Sequence, residues 1–175
     1  MKRIREREVP RASLLQQFVE MPGCHADAFA VPADAATELA DYIRAMFDSP
    51  VFRAERMVLA AFGKKSSSAE EVAALAAGEG QTMALWSTLQ RNGHELLLEV
   101  RRGAVRTWLM VEPRPGSDAH LWFGTAIVPE PAKGDAPPQI ALGFRAFMGV
   151  HKLYSRVLLW AAVRGLKHQL KSEGR

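Results

Sequence analysis

Cysteine is nearly absent from this chain, which contains Cys24 and no other. A single cysteine excludes an intramolecular disulfide and a cysteine cluster that holds structural zinc. The chain also lacks an uninterrupted apolar run of membrane-spanning length, because Arg145, Lys152, Arg156 and Arg164 interrupt its last apolar segment. No apolar run of signal-peptide length follows the charged N-terminus. We therefore predict a cytoplasmic protein without a membrane span.

The sequence also lacks the interleaved basic and aromatic residues that are typical of a nucleic-acid groove. Its formal charge is +4, and the basic excess is concentrated near the two ends. Solvated termini explain such clusters more often than a binding surface does, so we expect no nucleic-acid partner. The basic residues concerned are Lys2, Arg3, Arg5, Arg7, Arg164, Lys167, Lys171 and Arg175.

What the chain does contain is enough apolar sequence for one core. Of its 175 residues, 48% are hydrophobic and 24% are charged, which is typical of a globular domain that folds without disulfides. We expect a single α+β domain over residues 23–175, preceded by an N-terminal arm over residues 1–22.

The first half of this domain predicts one strand followed by three helices. Cys24–Val31 alternates small or polar residues with apolar ones, which favours a short strand. Apolar residues at helical spacing then predict helices over Asp34–Phe47 and Val51–Phe62, separated by an Asp-Ser-Pro break. Ser68, followed by two glutamates, predicts the start of a third, shorter helix.

The second half changes to the period of strands. Four consecutive segments predict an antiparallel meander, and Asn92-Gly93 predicts a tight hairpin because both residues tolerate positive φ. A proline-rich linker leads to a long amphipathic helix from Gln139 to about Leu170. The predicted strands are Thr82–Gln90, His94–Arg101, Val105–Glu112 and Ala119–Val128.

This order of elements predicts an α+β fold in which the early strand returns to an edge of the meander and the sheet packs on the C-terminal helix. That is the layout of a helix-grip domain.

Three sequence blocks, CHADAFAVP, FDSPVFRAERMVL and LGFRAFMGVHKLYSR, resemble an uncharacterised bacterial family of unknown function. More distantly, the chain resembles the polyketide-cyclase and START-like helix-grip group. The second resemblance implies a cavity between sheet and helix that holds a lipid or another apolar ligand, by analogy of fold alone.

The last helix carries the best candidate site. His151 and Tyr154 are three residues apart and share a helix face with Phe147, so they can present polar groups to a ligand in an otherwise apolar cavity. The alternative is structural: a buried histidine and tyrosine that pair with the sheet backbone or with Asp27.

His25 and Asp27 form the second candidate, because residues two apart in a strand point to the same side. They could be a histidine–carboxylate dyad or half of a metal site, but the other histidines lack ligand spacing, so we expect no metal and no cofactor. Trp108 is a further candidate ligand contact, although large aromatic side chains are more often core.

Two functions fit these observations. The first is binding of a small apolar ligand between the sheet and the C-terminal helix. The second is a structural or interaction domain, a homodimer with a solid core. An enzyme of cyclase or hydratase type, with His151 as acid or base, is a third and smaller possibility. Cavity volume discriminates the first two, since a ligand pocket has roughly 300 Å³ or more.

Overall fold

A computed structural model describes residues 3–54, 67–100, 104–116, 118–129 and 142–173, with the side chains of the last range described from 149 to 168. Seven strands and four helices have bounds within these ranges. They are β1 (Arg5–Arg7), α1 (Gln16–Val19), β2 (His25–Asp34), α2 (Leu39–Phe47), α3 (Ala69–Ala77), β3 (Thr82–Met83), β4 (Trp86–Arg91), β5 (Glu95–Val100), β6 (Val105–Pro113), β7 (Asp118–Ile127) and α4 (Leu142–Glu173). Residues 50–54 add a helical turn.

The seven strands form one antiparallel sheet in the order β1-β2-β7-β6-β5-β4-β3. Strands β3 to β7 are the meander, and β2 returns to pair with β7, as the sequence predicts. Strand β1 pairs with the other side of β2 and forms the edge. Helix α4 packs against the sheet and against α2. The predicted α+β class, with a C-terminal helix on an antiparallel sheet, is confirmed.

The strand predicted over Thr82–Gln90 is in fact two strands. The chain reverses between Met83 and Trp86, which pair with each other, and Ala84 in the turn has a φ of 50°. No glycine, proline or asparagine marks this turn, so the sequence pattern did not show it. The meander therefore has five strands rather than four.

The Asn92-Gly93 hairpin forms between β4 and β5, but for a different reason from the one predicted. Neither residue is among the described positions with positive φ. Instead, the side-chain oxygen of Asn92 accepts hydrogen bonds from the backbone N–H groups of His94 (2.9 Å) and Glu95 (2.8 Å). This Asx-type turn closes the hairpin without a left-handed residue.

The helices start and end close to the predicted positions where capping residues are clear. Ser68 and Glu71 form a reciprocal capping box at α3, and Gly78 ends that helix with a φ of 84°. Helix α2 begins at Leu39 rather than Asp34, because β2 continues through Pro32 to Asp34. Most of the helix predicted over Val51–Phe62, and the linker before α4, lie outside the described residues.

Each face of the sheet carries its own core. The inner face packs on α2, α3 and α4 through a large apolar cluster. The outer face holds a smaller cluster that includes Leu15, Phe18 and Trp108. The segment predicted as an N-terminal arm thus contributes a strand to the sheet and buries apolar side chains on its outer face. No helix in the described part of the chain is both long and apolar enough to cross a membrane.

Candidate functional site

A cavity of about 250 Å³ lies between the inner face of the sheet, α4 and the C-terminal end of α2. Three aromatic side chains form one wall. The rings of Phe47 and Phe52 meet edge to face with centroids 4.7 Å apart, and the ring of Phe52 lies 5.3 Å from that of Trp86. Contacts of this kind hold aromatic rings in fixed orientations. The wall presents an apolar surface to any occupant.

The opposite side of the cavity is polar, because a row of hydrogen-bonding side chains crosses three strands. Asp27 of β2 is directly opposite Thr125 of β7, which is directly opposite Thr107 of β6. Directly opposed residues of an antiparallel sheet point to the same face. Thr107 and Thr125 line the cavity, and Asp27 lies beside them in the neighbouring strand.

Helix α4 adds His151 and Tyr154 to this polar side. The Nε2 atom of His151 lies 3.7 Å from Oδ1 of Asp27, and the Nε2 atom of His25 lies 3.9 Å from Oδ2 of the same carboxylate. Both distances are ion-pair contacts but exceed hydrogen-bond length. Asp27 thus lies between two imidazoles, one from its own strand and one from the helix above.

Asp27 is the unusual member of this group because it is buried without a hydrogen bond. The residue is 6% exposed, and neither carboxylate oxygen has a hydrogen-bond partner among the described residues. The Nε2 atom of His25 is also buried without one. A buried carboxylate normally accepts several hydrogen bonds, since losing those of water is costly. Asp27 and His25 therefore retain unused hydrogen-bonding capacity near the cavity.

This arrangement can do two things chemically. The imidazole of His151 lines the cavity and lies 3.7 Å from the Asp27 carboxylate, an arrangement that general acid–base chemistry can use. The same histidine can hydrogen-bond a carbonyl or hydroxyl of an occupant. Asp27 and His25 do not line the cavity, so any effect they have on an occupant would pass through His151, which contacts Asp27.

The structure brings together four of the six side chains predicted for the site. His151 and Tyr154 line the cavity. Asp27 does not line it but contacts His151, and His25 in turn contacts Asp27. Trp108 does not belong to this group: it is fully buried on the outer face, where its Nε1–H donates to Glu95 at 2.8 Å. The side chain of Phe147 lies outside the described residues.

Sequence reasoning missed the aromatic wall and the two threonines. Trp86, not Trp108, is the tryptophan that lines the cavity. The sequence around Thr107 and Thr125 does not indicate a site, because the two threonines come together with Asp27 only through the pairing of three strands. Only the register of the sheet reveals such a row.

Cys24, the single cysteine of the chain, is not among the side chains that line the cavity. Burial raises the pKa of the Cys24 thiol, an effect that the nearby Arg106 charge partly opposes, so the reactive thiolate is disfavoured. Within the described ranges, no group of three or more histidine, cysteine, aspartate or glutamate side chains could hold a metal ion.

No family model, curated protein or solved structure matches this chain.

Proposed function

We propose that this protein binds a small, largely apolar molecule that carries one hydrogen-bonding group, in the cavity between the sheet and α4. The observation that carries the proposal is a cavity lined by an aromatic wall and by polar side chains, next to a buried Asp27 whose carboxylate has no hydrogen-bond partner among the described residues. Ligand sites commonly combine an apolar lining with a few convergent polar groups.

The cavity volume limits the size of the ligand. About 250 Å³ is far more than the ~30 Å³ that one water occupies in the liquid. It lies just below the range of about 300–1,000 Å³ typical of drug-sized ligands. We therefore expect a compact molecule rather than a long lipid. The resemblance to helix-grip proteins supports an apolar ligand but not a particular size.

A cavity-filling variant tests this proposal. In Val105→Phe, the added ring would occupy the cavity from β6, so the melting temperature should be kept or raised while ligand binding is lost. If the core were solid there, the same substitution would cost about 1–3 kcal/mol of stability through overpacking. The matched control is Val157→Phe, which adds the same atoms at an exposed position of α4.

Binding is measured by native mass spectrometry of protein purified from its own host, and by thermal shift with alcohols and carboxylic acids of graded chain length. A bound species, or a saturable shift, that is present in the wild type and in Val157→Phe but lost in Val105→Phe supports the proposal. No bound species and no shift with any probe in the wild type would overturn it.

A different surface favours the second candidate, a homodimeric interaction domain. Helix α4 exposes an apolar stripe at the 3-4-3 spacing of a helix–helix seam, with Val150 and Leu153 each 62% exposed. A two-fold pairing of this stripe with that of a second copy would cover it. Leu153→Glu should then convert a dimer to a monomer in analytical ultracentrifugation, and a wild-type monomer would exclude this candidate. The stripe consists of Val150, Leu153, Val157 and Trp160.

A further inference from the structure

A second concave surface lies on the outer face of the sheet, away from the cavity. It is a groove of about 300 Å³ beside the edge strand β1, and Arg3, Arg5 and Arg7 line it. Arg5 pairs with Ala30 and Arg7 with Ala28, and both alanines point into the outer-face cluster. Directly paired residues share a face, so the arginine side chains lie on the outer side of the sheet.

The one acidic residue of β1 points the other way. Glu6 faces α4, where it accepts a hydrogen bond of 2.6 Å from Nζ of Lys152 and lies 3.6 Å from Nη2 of Arg156. Strand β1 therefore separates charge between its two faces. No ion pair joins Arg3, Arg5 or Arg7 to any residue that the structure describes.

The far wall of the groove is formed by His120 and Asp118 of β7. The Nδ1 atom of His120 is buried and has no hydrogen-bond partner in the described part of the chain. Burial lowers the pKa of this imidazole, and the charges of Arg114 and Arg7 lower it further, against the opposing effect of Glu112 and Asp118.

Small residues give the groove its depth. Ala30 and Pro32 of β2 lie between the arginines and His120, since Ala30 pairs with Arg5 and Pro32 with His120. Neither side chain is long enough to fill the space between the two walls. Three guanidinium groups and one carboxylate leave two net positive charges around it.

We propose that this groove binds a small soluble molecule through a dianionic phosphate group. Guanidinium forks match the geometry of phosphate oxygens, and the His120 imidazole lines the same groove. The two net positive charges of the groove would balance the negative charge of a phosphate monoester, which is about −2. The groove has the volume of a small-molecule site rather than the extended basic track of a nucleic-acid surface. This inference is independent of the cavity on the inner face.

NMR titration at low ionic strength tests the site with inorganic phosphate and pyrophosphate as probes. We expect saturable shifts of the amide signals of residues 3–7 and of the His120 ring, with a stoichiometry of one. The His120 pKa should rise when the probe binds, because an adjacent anion favours the imidazolium. Non-saturating shifts, or binding to phosphatidic-acid vesicles without binding to the free probes, would overturn the proposal.

Variants that remove arginines inside and outside the groove give the decisive comparison. Arg5→Gln combined with Arg7→Gln should weaken pyrophosphate binding about tenfold or more, since charge-assisted hydrogen bonds are lost. Arg53→Gln removes one exposed arginine elsewhere and should leave binding unchanged. His120→Gln keeps every arginine and should also weaken pyrophosphate binding. It provides the test if the double variant does not fold. Equal affinity in the wild type and His120→Gln, or equal weakening in Arg53→Gln, would contradict a built site.

Discussion

The carboxylate of Asp27 and the imidazole of His151 come from opposite layers of the fold and meet with 3.7 Å between Oδ1 and Nε2. The strand supplies the acid and the helix supplies the base, so their contact depends on how α4 lies across the sheet. Any shift of the helix along its axis would change this contact and the adjacent cavity together.

Replacing Asp27 separates a structural role from a functional one. Asp27→Asn removes a buried charge that lacks hydrogen bonds, so we expect the free energy of unfolding at neutral pH to be unchanged or higher by up to about 1–3 kcal/mol. Ligand retention should fall, as it should in His151→Gln, because the imidazole at the cavity surface loses the carboxylate that it contacts. Urea unfolding and native mass spectrometry measure the two effects. The control is Asp41→Asn at an exposed carboxylate, and a large loss of stability in Asp27→Asn would show that the carboxylate is structural.

A methyl group at position 124 should disrupt the outer-face core. A Cβ atom on Gly124 would lie 2.6 Å from Cδ2 of Leu15 and 2.8 Å from Cε3 of Trp108. We expect Gly124→Ala to cost about 1–3 kcal/mol of stability. Gly149→Ala is the matched control, because no atom lies within 4 Å of its added Cβ and α4 is exposed there. That control should gain about 0.5–1 kcal/mol through helix propensity. Equal melting temperatures for the two variants would refute the packing argument.

Glu95 connects the N-terminal segment to the sheet. Its Oε2 accepts hydrogen bonds of 2.8 Å from the backbone N–H of Leu14 and from Nε1 of Trp108. Glu95→Ala leaves both donors buried and unpaired, so we expect a loss of about 1–3 kcal/mol or more. Hydrogen exchange should accelerate first around residue 14. Glu99→Ala, which breaks a partly exposed ion pair with Arg106, should cost less than about 1 kcal/mol.

Tyr42 makes stability depend on alkaline pH. Burial raises the pKa of its hydroxyl well above the ordinary value, and the hydroxyl donates to the carbonyl of Trp122 at 3.1 Å. The folded state keeps Tyr42 protonated, whereas the unfolded chain ionises it above about pH 10. The contribution to stability is therefore complete below pH 10 and is lost as the pH rises further. Tyr42→Phe should be less stable at neutral pH but should show a shallower loss above pH 10 in denaturant titrations.

The sheet and its covering helix could be predicted because their signals are local. Alternation along β5 and the absence of proline after Pro138 are both visible in one dimension. The turn at Ala84 could not be predicted, since an ordinary residue adopts positive φ there. The packing of the N-terminal segment on the outer face was not predicted either. Leu15 and Phe18 belong to a short segment, and Leu15 packs next to Gly124, which is distant in sequence.

The candidate site also has a part that local sequence patterns predict and a part that they do not. His151 and Tyr154 share a helix face, and His25 and Asp27 share a strand face, so both pairs follow from local periodicity. That the two pairs meet depends on tertiary packing, which no spacing within the chain encodes. The face that Trp108 occupies could not be fixed from the sequence, because one step of strand register moves every side chain to the other face.

The two edge strands of the sheet are short, which limits pairing of the sheet edges with other chains. The outermost strands, β1 and β3, are only three and two residues long, while the inner strands β2 and β7 have ten residues each. A long edge rich in alanine, such as β2 presents, would be a template for pairing with other chains. Strand β1 covers part of that edge with alternating arginine and glutamate, whose charges repel a neighbouring strand. Loss of residues 5–7 would expose the backbone hydrogen-bonding groups of β2 that β1 now pairs, and we expect it to favour edge-to-edge pairing with other chains.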